Sequence, residues 1–405
     1  MVKMYINRFL EKGMKPYITK KEIIAVVGPR QSGKTTLLKH IFNSLNNALY
    51  LDFEDRETLE LFNEDIKSFA ELYVKPYKYL FIDEFQYARE GGKDLKYIYD
   101  NYKTKIIISG SSVSNLSIQS IKYLVGRIFV FNLYPFSFEE FLNYKDSLLY
   151  KNIYLKKMKL SKPIIEKIIP YFNEYCIYGG YPRVILSNNK EEKEIILRNI
   201  YNTYFLKEIK EILNLPEDYK LSKLINALAL QIGNIINYNE LSSITGFKYK
   251  ELLNYINILE KTFICIRSRP FYSNKRIEIA KAPKIFFFDN GFRNIVIKNL
   301  ENMQKRQDKS ILYENFIASE LTKSGLEIKY WRTKSKAEVD FVIEKNGKII
   351  PIEIKSNLRE TKITKSFISF VDKYKPRYGL ILSETFLSER SNIKFRPIFS
   401  VKKET

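Results

Sequence analysis

Residues 23–36 read Ile-Ile-Ala-Val-Val-Gly-Pro-Arg-Gln-Ser-Gly-Lys-Thr-Thr, and the fold turns on this stretch. The apolar run 23–27 suits a strand buried on both faces, as in a parallel sheet. Gly28 to Thr35 fits the spacing G-x-x-x-x-G-K-[ST]. Residues from Thr35 to Leu45 read as a helix. Strand, loop and helix together are the context in which such a loop cradles phosphate. Its backbone N–H groups and the helix N-terminus attract phosphate oxygens. Gly28 and Gly33 let the backbone turn tightly and approach the ligand.

Working outward, residues 48–53, 79–82 and 105–109 are further short β-rich runs separated by helical segments. That alternation implies a parallel α/β sheet ending near Pro135. The residues expected to hold nucleotide are Gly28, Pro29, Arg30, Gln31, Ser32, Gly33, Lys34, Thr35 and Thr36. Lys34 would neutralise the β- and γ-phosphates of ATP, and the Thr35 hydroxyl would ligate Mg²⁺. The strand 79–82 runs into Asp83-Glu84. Adjacent carboxylates at a buried strand end are costly without a cation or substrate. Asp83 is the expected Mg²⁺ partner and Glu84 the group that polarises water. Ser109 and Ser111, at the tip of run 105–109, are both placed to touch a γ-phosphate. Arg127, in Leu-Val-Gly-Arg, is the candidate to supply a guanidinium to a neighbour's γ-phosphate, against a plain surface arginine.

Composition narrows the classes. The chain of 405 residues carries 68 Lys+Arg against 46 Asp+Glu, a net charge of +22. Such a field favours polyanions, so DNA is the expected partner, against the alternative of a merely lysine-rich surface. Cys176 and Cys265 lie far apart, and His40 is the one histidine, which excludes disulfide scaffolds and His-triad or Cys-cluster metal chemistry. No apolar stretch approaches a membrane span and the start is too charged for a signal peptide, so a soluble cytoplasmic protein is expected.

The segments GPRQSGKTT, LFIDEFQ, IIISGSS, the Gly126-Arg127 pair, LYPFSFEEFL and YGGYPRVIL together resemble prokaryotic AAA-type ATPases of a poorly characterised family. The resemblance covers nearly the whole chain. It implies a P-loop ATPase core, assembly into homo-oligomers with Arg127 acting across the interface, and a C-terminal region of unknown function.

Residues 136–215 read as helices broken at Pro170, Gly179, Gly180 and Pro182. Residues 238–260 read as two helices joined at Gly246, the first capped by Asn239, the second burying Leu252, Leu253, Ile256 and Leu259. Lys248, Tyr249, Lys250 and Asn254 then point away. This resembles a helix-turn-helix. A strand at 262–266 and a basic hairpin at 267–284 would complete a winged helix, with Arg267, Arg269, Lys275 and Arg276 contacting phosphates. Packing between domains is the alternative use of that fold. The polar stretch 301–310 reads as a linker.

Lys345-Asn346-Gly347-Lys348 is a hairpin signal between β-rich runs. Counting outward from an Asn346-Gly347 turn sets Asp340 opposite Glu353, with Lys355 on the same face. A bulge would shift this register, and Pro351 marks such a position. Residues 312–321 read as a helix that turns Glu314 inward with Ile317 and Leu321. Asp340, Glu353 and Lys355 resemble the D…(D/E)-x-K signature of PD-(D/E)XK nucleases, with Glu314 as the helical acid. The resemblance implies Mg²⁺ held by Asp340 and Glu353 and water activated by Lys355.

The expected architecture is therefore α/β: an ATPase core (1–135), a helical lid (136–215), a winged helix (216–300) and a nuclease-like domain (301–405). The expected function is ATP hydrolysis coupled to action on DNA, with or without cleavage. The alternatives are an ATP switch that binds a protein partner in signalling or defence, and a DNA-binding regulator with an inactive nuclease-like domain.

Overall fold

The computed structural model describes residues 5–111, 123–202, 209–210 and 219–405. The chain forms two compact units: residues 1–136 with 261–263, and residues 137–260 with 264–405.

The first unit is built on five strands, β1 (Ile23–Gly28), β2 (Ala48–Asp52), β3 (Tyr79–Asp83), β4 (Lys105–Ser111) and β5 (Ile128–Asn132), in the order β2-β3-β4-β1-β5. All neighbours run parallel. Alternation along the strands divides the core in two. Ile23, Ala25, Leu80, Ile82, Ile106 and Ile108 enter one apolar cluster. Ile24, Val26, Phe81 and Ile107 enter the other, beneath Leu37, Leu38 and Ile41 of the helix that follows the loop. Each fully buried Val, Leu, Ile or Phe among these contributes about 1.5–3 kcal/mol on burial. The strands of this sheet therefore read as continuous apolar runs. The labelled helices here are α1 (Phe9–Met14), α2 (Lys34–Phe42) and α3 (Gly91–Asn101). Strand β5 escaped the sequence reading because it is an edge strand with no fully buried residue, and Val130 is exposed. Lys105, at the start of β4, is buried and donates to the carbonyls of Tyr17 and Lys20 at 2.8 and 2.9 Å, and to that of Glu22. This ties the segment before β1 to the sheet.

The second unit opens with helices α4 (Phe138–Lys145), α5 (Lys162–Tyr178) and α6 (Tyr219–Leu230). Pro170 was expected to break the chain, yet it lies inside α5, which runs on to a C-cap at Gly179. Helices α7 (Tyr238–Thr245) and α8 (Tyr249–Lys261) flank Gly246, which caps α7 with φ 73°. The N-cap is Asn237 rather than Asn239; its side chain accepts from the N–H groups of Asn239 and Glu240. Leu252, Ile256 and Leu259 are buried, but Leu253 is 37% exposed. The apolar stripe is one residue narrower than its spacing implied.

Strands β6 (Cys265–Pro270) and β7 (Lys284–Phe287) pair antiparallel, but helix α9 (Lys275–Ala280) stands between them, so no simple basic hairpin forms. The strand expected at 262–266 starts three residues later, and β6 pairs with β8 (Ile328–Arg332). One sheet thus crosses the division expected at residue 300, in the order β12-β13-β11-β10-β9-β8-β6-β7. Its other members are β9 (Glu338–Lys345), β10 (Lys348–Lys355), β11 (Gly379–Ser383), β12 (Ser388–Arg390) and β13 (Ile393–Pro397). Helices α10 (Asn290–Val296), α11 (Lys309–Lys323) and α12 (Lys365–Tyr374) complete the labelled set.

The stretch 301–310 is no linker. Buried Arg306 donates to Asn299 O at 2.7 Å and to Asp308, which also holds Arg293 at 2.5 Å. Charged side chains that look like solvated linker in one dimension are here neutralised in pairs. Among the described residues no helix is long and apolar enough to cross a membrane.

Candidate functional site

The nucleotide loop sits at the carboxyl ends of the parallel strands, where open α/β sheets bind ligands. Gly28, Asp83 and Ser111 end β1, β3 and β4 side by side. A Cβ on Gly28 would lie 2.1 Å from the Leu133 carbonyl oxygen, so no other residue fits. Gly33 caps α2 with φ 96°, a conformation that disfavours side chains. Lys34 is buried and donates to the carbonyls of Gly28 and Pro29 at 3.0 and 3.2 Å. Ser32 Oγ and Gln31 Oε1 are buried without a hydrogen-bond partner among the described residues. Orphaned polar atoms in a loop of this shape fit a phosphate-bearing ligand, because a buried polar group is costly unless something pairs it.

The acidic pair is held differently at its two positions. Asp83 is buried, accepting from Tyr50 Oη at 2.6 Å and from the Ser109 hydroxyl. Burial, and Asp83 after it, pushes the Tyr50 phenol well above its ordinary range, so Tyr50 stays a donor. Glu84 has φ 51° and ψ 40°, the left-handed region where a non-glycine residue is strained. Its carboxylate accepts from Gln86 Nε2, and Gln86 Oε1 accepts from Ser111 N–H at 3.2 Å. Ser109 is thereby committed to Asp83, and Ser111 stands at the tip of β4. Tyr50 and Gln86 were missed by sequence reasoning. Gln86 had one signal, its place two residues after Glu84.

Arg127 lies at the other end of the sheet. Its carbonyl accepts from Ile23 N–H at 2.8 Å, at the start of β1. The length of β1, roughly 16 Å at 3.3 Å per residue, separates it from the loop of its own chain. Its guanidinium pairs with Asp100 of α3 at 3.0 Å.

The second cluster is in the other unit. Asn346 and Gly347 have φ 51° and 71°, as a two-residue hairpin turn requires. The ladder keeps the expected register from Lys345–Lys348 to Phe341–Ile352. Pro351 causes no break, because it faces Val342 at a pair that needs no N–H from it. The break comes one step later. Against β8, strand β9 carries an extra residue between Val342 and Val339. Such a bulge re-aims side chains, and Asp340 Oδ2 accepts the Ile354 N–H at 2.7 Å. The regular ladder with β10 ends at Phe341–Ile352, one pair short of Asp340 and Glu353, and the Asp340 side chain takes the next β10 N–H instead. Burial raises the Asp340 carboxyl, Ile354 N–H opposes this, and the Glu353 charge adds to it.

Glu353 is buried, paired with Lys355 at 2.6 Å and accepting from Thr364 Oγ1 at 2.8 Å. Burial would lower the Lys355 ammonium, but Glu353, Asp340 and Glu314 hold it up. Glu314, on α11, is raised by burial and then by the Asp340 charge. So Glu314, Asp340, Glu353 and Lys355 do meet electrostatically. Lys284 of β7 joins them, paired with Glu338. Its place in the chain had suggested a DNA-facing wing instead. Among the described residues no group of three or more His, Cys, Asp or Glu is arranged to hold a metal ion. Both Glu353 oxygens are already engaged, so Lys355 supplies the positive charge here.

Of the expected phosphate-contacting residues, Arg267 is spent on Glu260 at 2.7 Å and on Asn257. Lys275 pairs with Glu278 and Glu344. Arg269, Arg276, Lys248, Tyr249, Lys250 and Asn254 are exposed.

Known proteins share parts of this chain. Residues 20–142 match an AAA domain, and residues 169–304 and 309–398 match two domains of unknown function, DUF8612 and DUF4143. An uncharacterized protein of Haemophilus influenzae is 26% identical over 87% of this chain and 87% of its own length. One from Methanocaldococcus jannaschii is 26% identical over 88% of this chain and 78% of its own. Among solved structures, a Walker-type ATPase of Pyrococcus abyssi aligns with a TM-score of 0.42 at 15% identity, over 72% of this chain and 96% of that one. The chain therefore carries an AAA-type P-loop ATPase domain at residues 20–142, joined to two domains of unknown function at residues 169–304 and 309–398.

Proposed function

We propose that the protein is an ATPase that couples Mg²⁺-dependent hydrolysis to action on DNA. The observation that carries the ATPase reading is the loop itself, with orphaned Ser32 and Gln31 atoms and a lysine resting on loop carbonyls. On nucleotide binding Lys34 exchanges those carbonyls for phosphate oxygens. When bound, Mg²⁺ would neutralise phosphate charge; Thr35 and Asp83 are the residues to hold it. Glu84 orients the attacking water and accepts its proton, while Gln86 fixes the carboxylate against the tip of β4. Since Arg127 is remote from its own loop, a transition-state role for it requires a homo-oligomer.

The DNA reading rests on the net charge of +22 and on the exposed residues of the α7–α8 pair. Reversing Lys248, Lys250, Arg269 and Arg276 to Glu should weaken duplex binding across sequences alike. The slope of log K against log salt should fall by about 0.9 for each phosphate that the variant no longer neutralises. A salt titration of binding to two unrelated duplexes checks this. Unchanged affinity would favour the protein-partner switch.

The acid–lysine cluster supports a nuclease-like fold, with cleavage as the second reading. Asp340, whose hydrogen bond among the described residues falls on Oδ2, fits a cation; Glu353 fits one only after releasing Lys355. Asp340→Asn should abolish any Mg²⁺-dependent plasmid nicking. It should also raise the thermal midpoint without metal, by about 2 °C for ~1 kcal/mol in a unit of this size. A carboxyl raised in the fold contributes stability only at low pH, and that contribution is lost as pH rises through its folded range. The gain should therefore be largest at neutral pH and vanish in acid. A midpoint lowered by Asp340→Asn at neutral pH would make the carboxylate a structural acceptor for Ile354.

A further inference from the structure

Loops that turn their N–H groups toward a ligand turn carbonyls the other way, and a buried carbonyl needs a donor. Lys34 serves Gly28 and Pro29. The Ser32 carbonyl is served from outside the loop. Arg8, the N-cap residue of α1, donates through Nη1 to Ser32 O at 2.8 Å. Its Nη2 donates to Tyr134 O, just beyond β5, at 2.5 Å. The guanidinium carbon lies 4.2 Å from the centre of the Phe136 ring, and Arg8 is 6% exposed. An extended chain segment and the loop are thus bound by one planar fork. The Leu133 carbonyl, from the same stretch of chain as Tyr134, already lies against Gly28.

We infer that Arg8 is a positioning residue of the nucleotide site, holding the loop in its binding shape by clamping the Ser32 carbonyl to the Tyr134–Phe136 segment. This inference rests on the nucleotide reading of the loop. Arg8 acts on the backbone behind the ligand, so its effect is on how well the N–H groups converge. The geometry also explains why lysine would not serve. A single ammonium cannot span two carbonyls on separate segments while lying flat on an aromatic ring. The guanidinium holds backbone carbonyls on two segments, so orientation is its role.

The test is equilibrium binding of a fluorescent ATP analogue, with Mg²⁺, to the full-length protein. Wild type, Arg8→Lys, Arg8→Gln and Lys34→Ala are compared well below each thermal midpoint. Steady-state KM and kcat for ATP are measured in parallel. Arg8→Lys and Arg8→Gln should weaken binding by about tenfold or more, near 1.4 kcal/mol. KM should rise more than kcat falls, because the loop still reaches the productive shape once occupied. Lysine should not rescue. A merely structural arginine would lower the thermal midpoint and leave the affinity of the folded protein untouched. Affinities of both variants within twofold of wild type overturn the inference. Should wild type show no saturable binding that Lys34→Ala removes, the nucleotide reading itself falls and takes this inference with it.

Discussion

Lys34→Ala will reduce ATP turnover by roughly 10²–10³ or more, the range seen when one preorganised electrostatic partner of the transition state is removed. Lys34 is 5% exposed and rests 3.0 Å from Gly28 O. A buried ammonium in that position is stable only because loop carbonyls surround it, and phosphate is the stronger partner. The alanine variant leaves two carbonyls less well satisfied, which costs about 1–3 kcal/mol. Circular dichroism and a thermal melt must therefore accompany the phosphate-release assay. A folded variant that turns over like wild type ends the reading of this loop as a catalytic cradle.

Glu84→Gln should keep ATP binding and lose turnover by roughly 10²–10⁴, the usual worth of a positioned general base. The side chain keeps its size, but its oxygen no longer takes a proton. Backbone strain sharpens the expectation. Glu84 sits at φ 51°, which costs on the order of 1–3 kcal/mol. Strain of that kind persists where the surroundings impose it, here the buried end of β3 and the Gln86 bridge to Ser111. Gln86→Ala should then lower turnover less than Glu84→Gln, because it frees the carboxylate without removing it. A single-turnover assay with excess enzyme separates slow chemistry from slow release. If Glu84→Gln hydrolyses at the wild-type rate, the base lies elsewhere.

Both variants test groups that could be named from linear spacing, and the reason is local. A strand, a glycine-bounded loop and a helix dipole are consecutive in the chain, so Gly28 to Thr36 carries its own geometry. The same holds for Asp83-Glu84 at the end of an apolar run, and for the Asn346-Gly347 turn that set the register as far as Phe341–Ile352. What failed was decided by partners on other elements of the fold. Arg267 looked free for phosphate until Glu260 met it. The stretch 301–310 looked like linker until Arg293 and Asp308 closed on each other.

The sequence by itself determined the parallel α/β core, the phosphate loop, the acidic pair and the hairpin, because continuous apolar runs and turn chemistry act over a few residues. Only the tertiary structure decided the rest. A bulge against β8 turned Asp340 onto Ile354. Strand β7 carried Lys284 into the acid cluster. Arg8 came to clamp the Ser32 carbonyl. In each case a buried charge had to find its partner across the sheet or from another segment, and burial is a property of the packed fold that no short stretch of chain possesses.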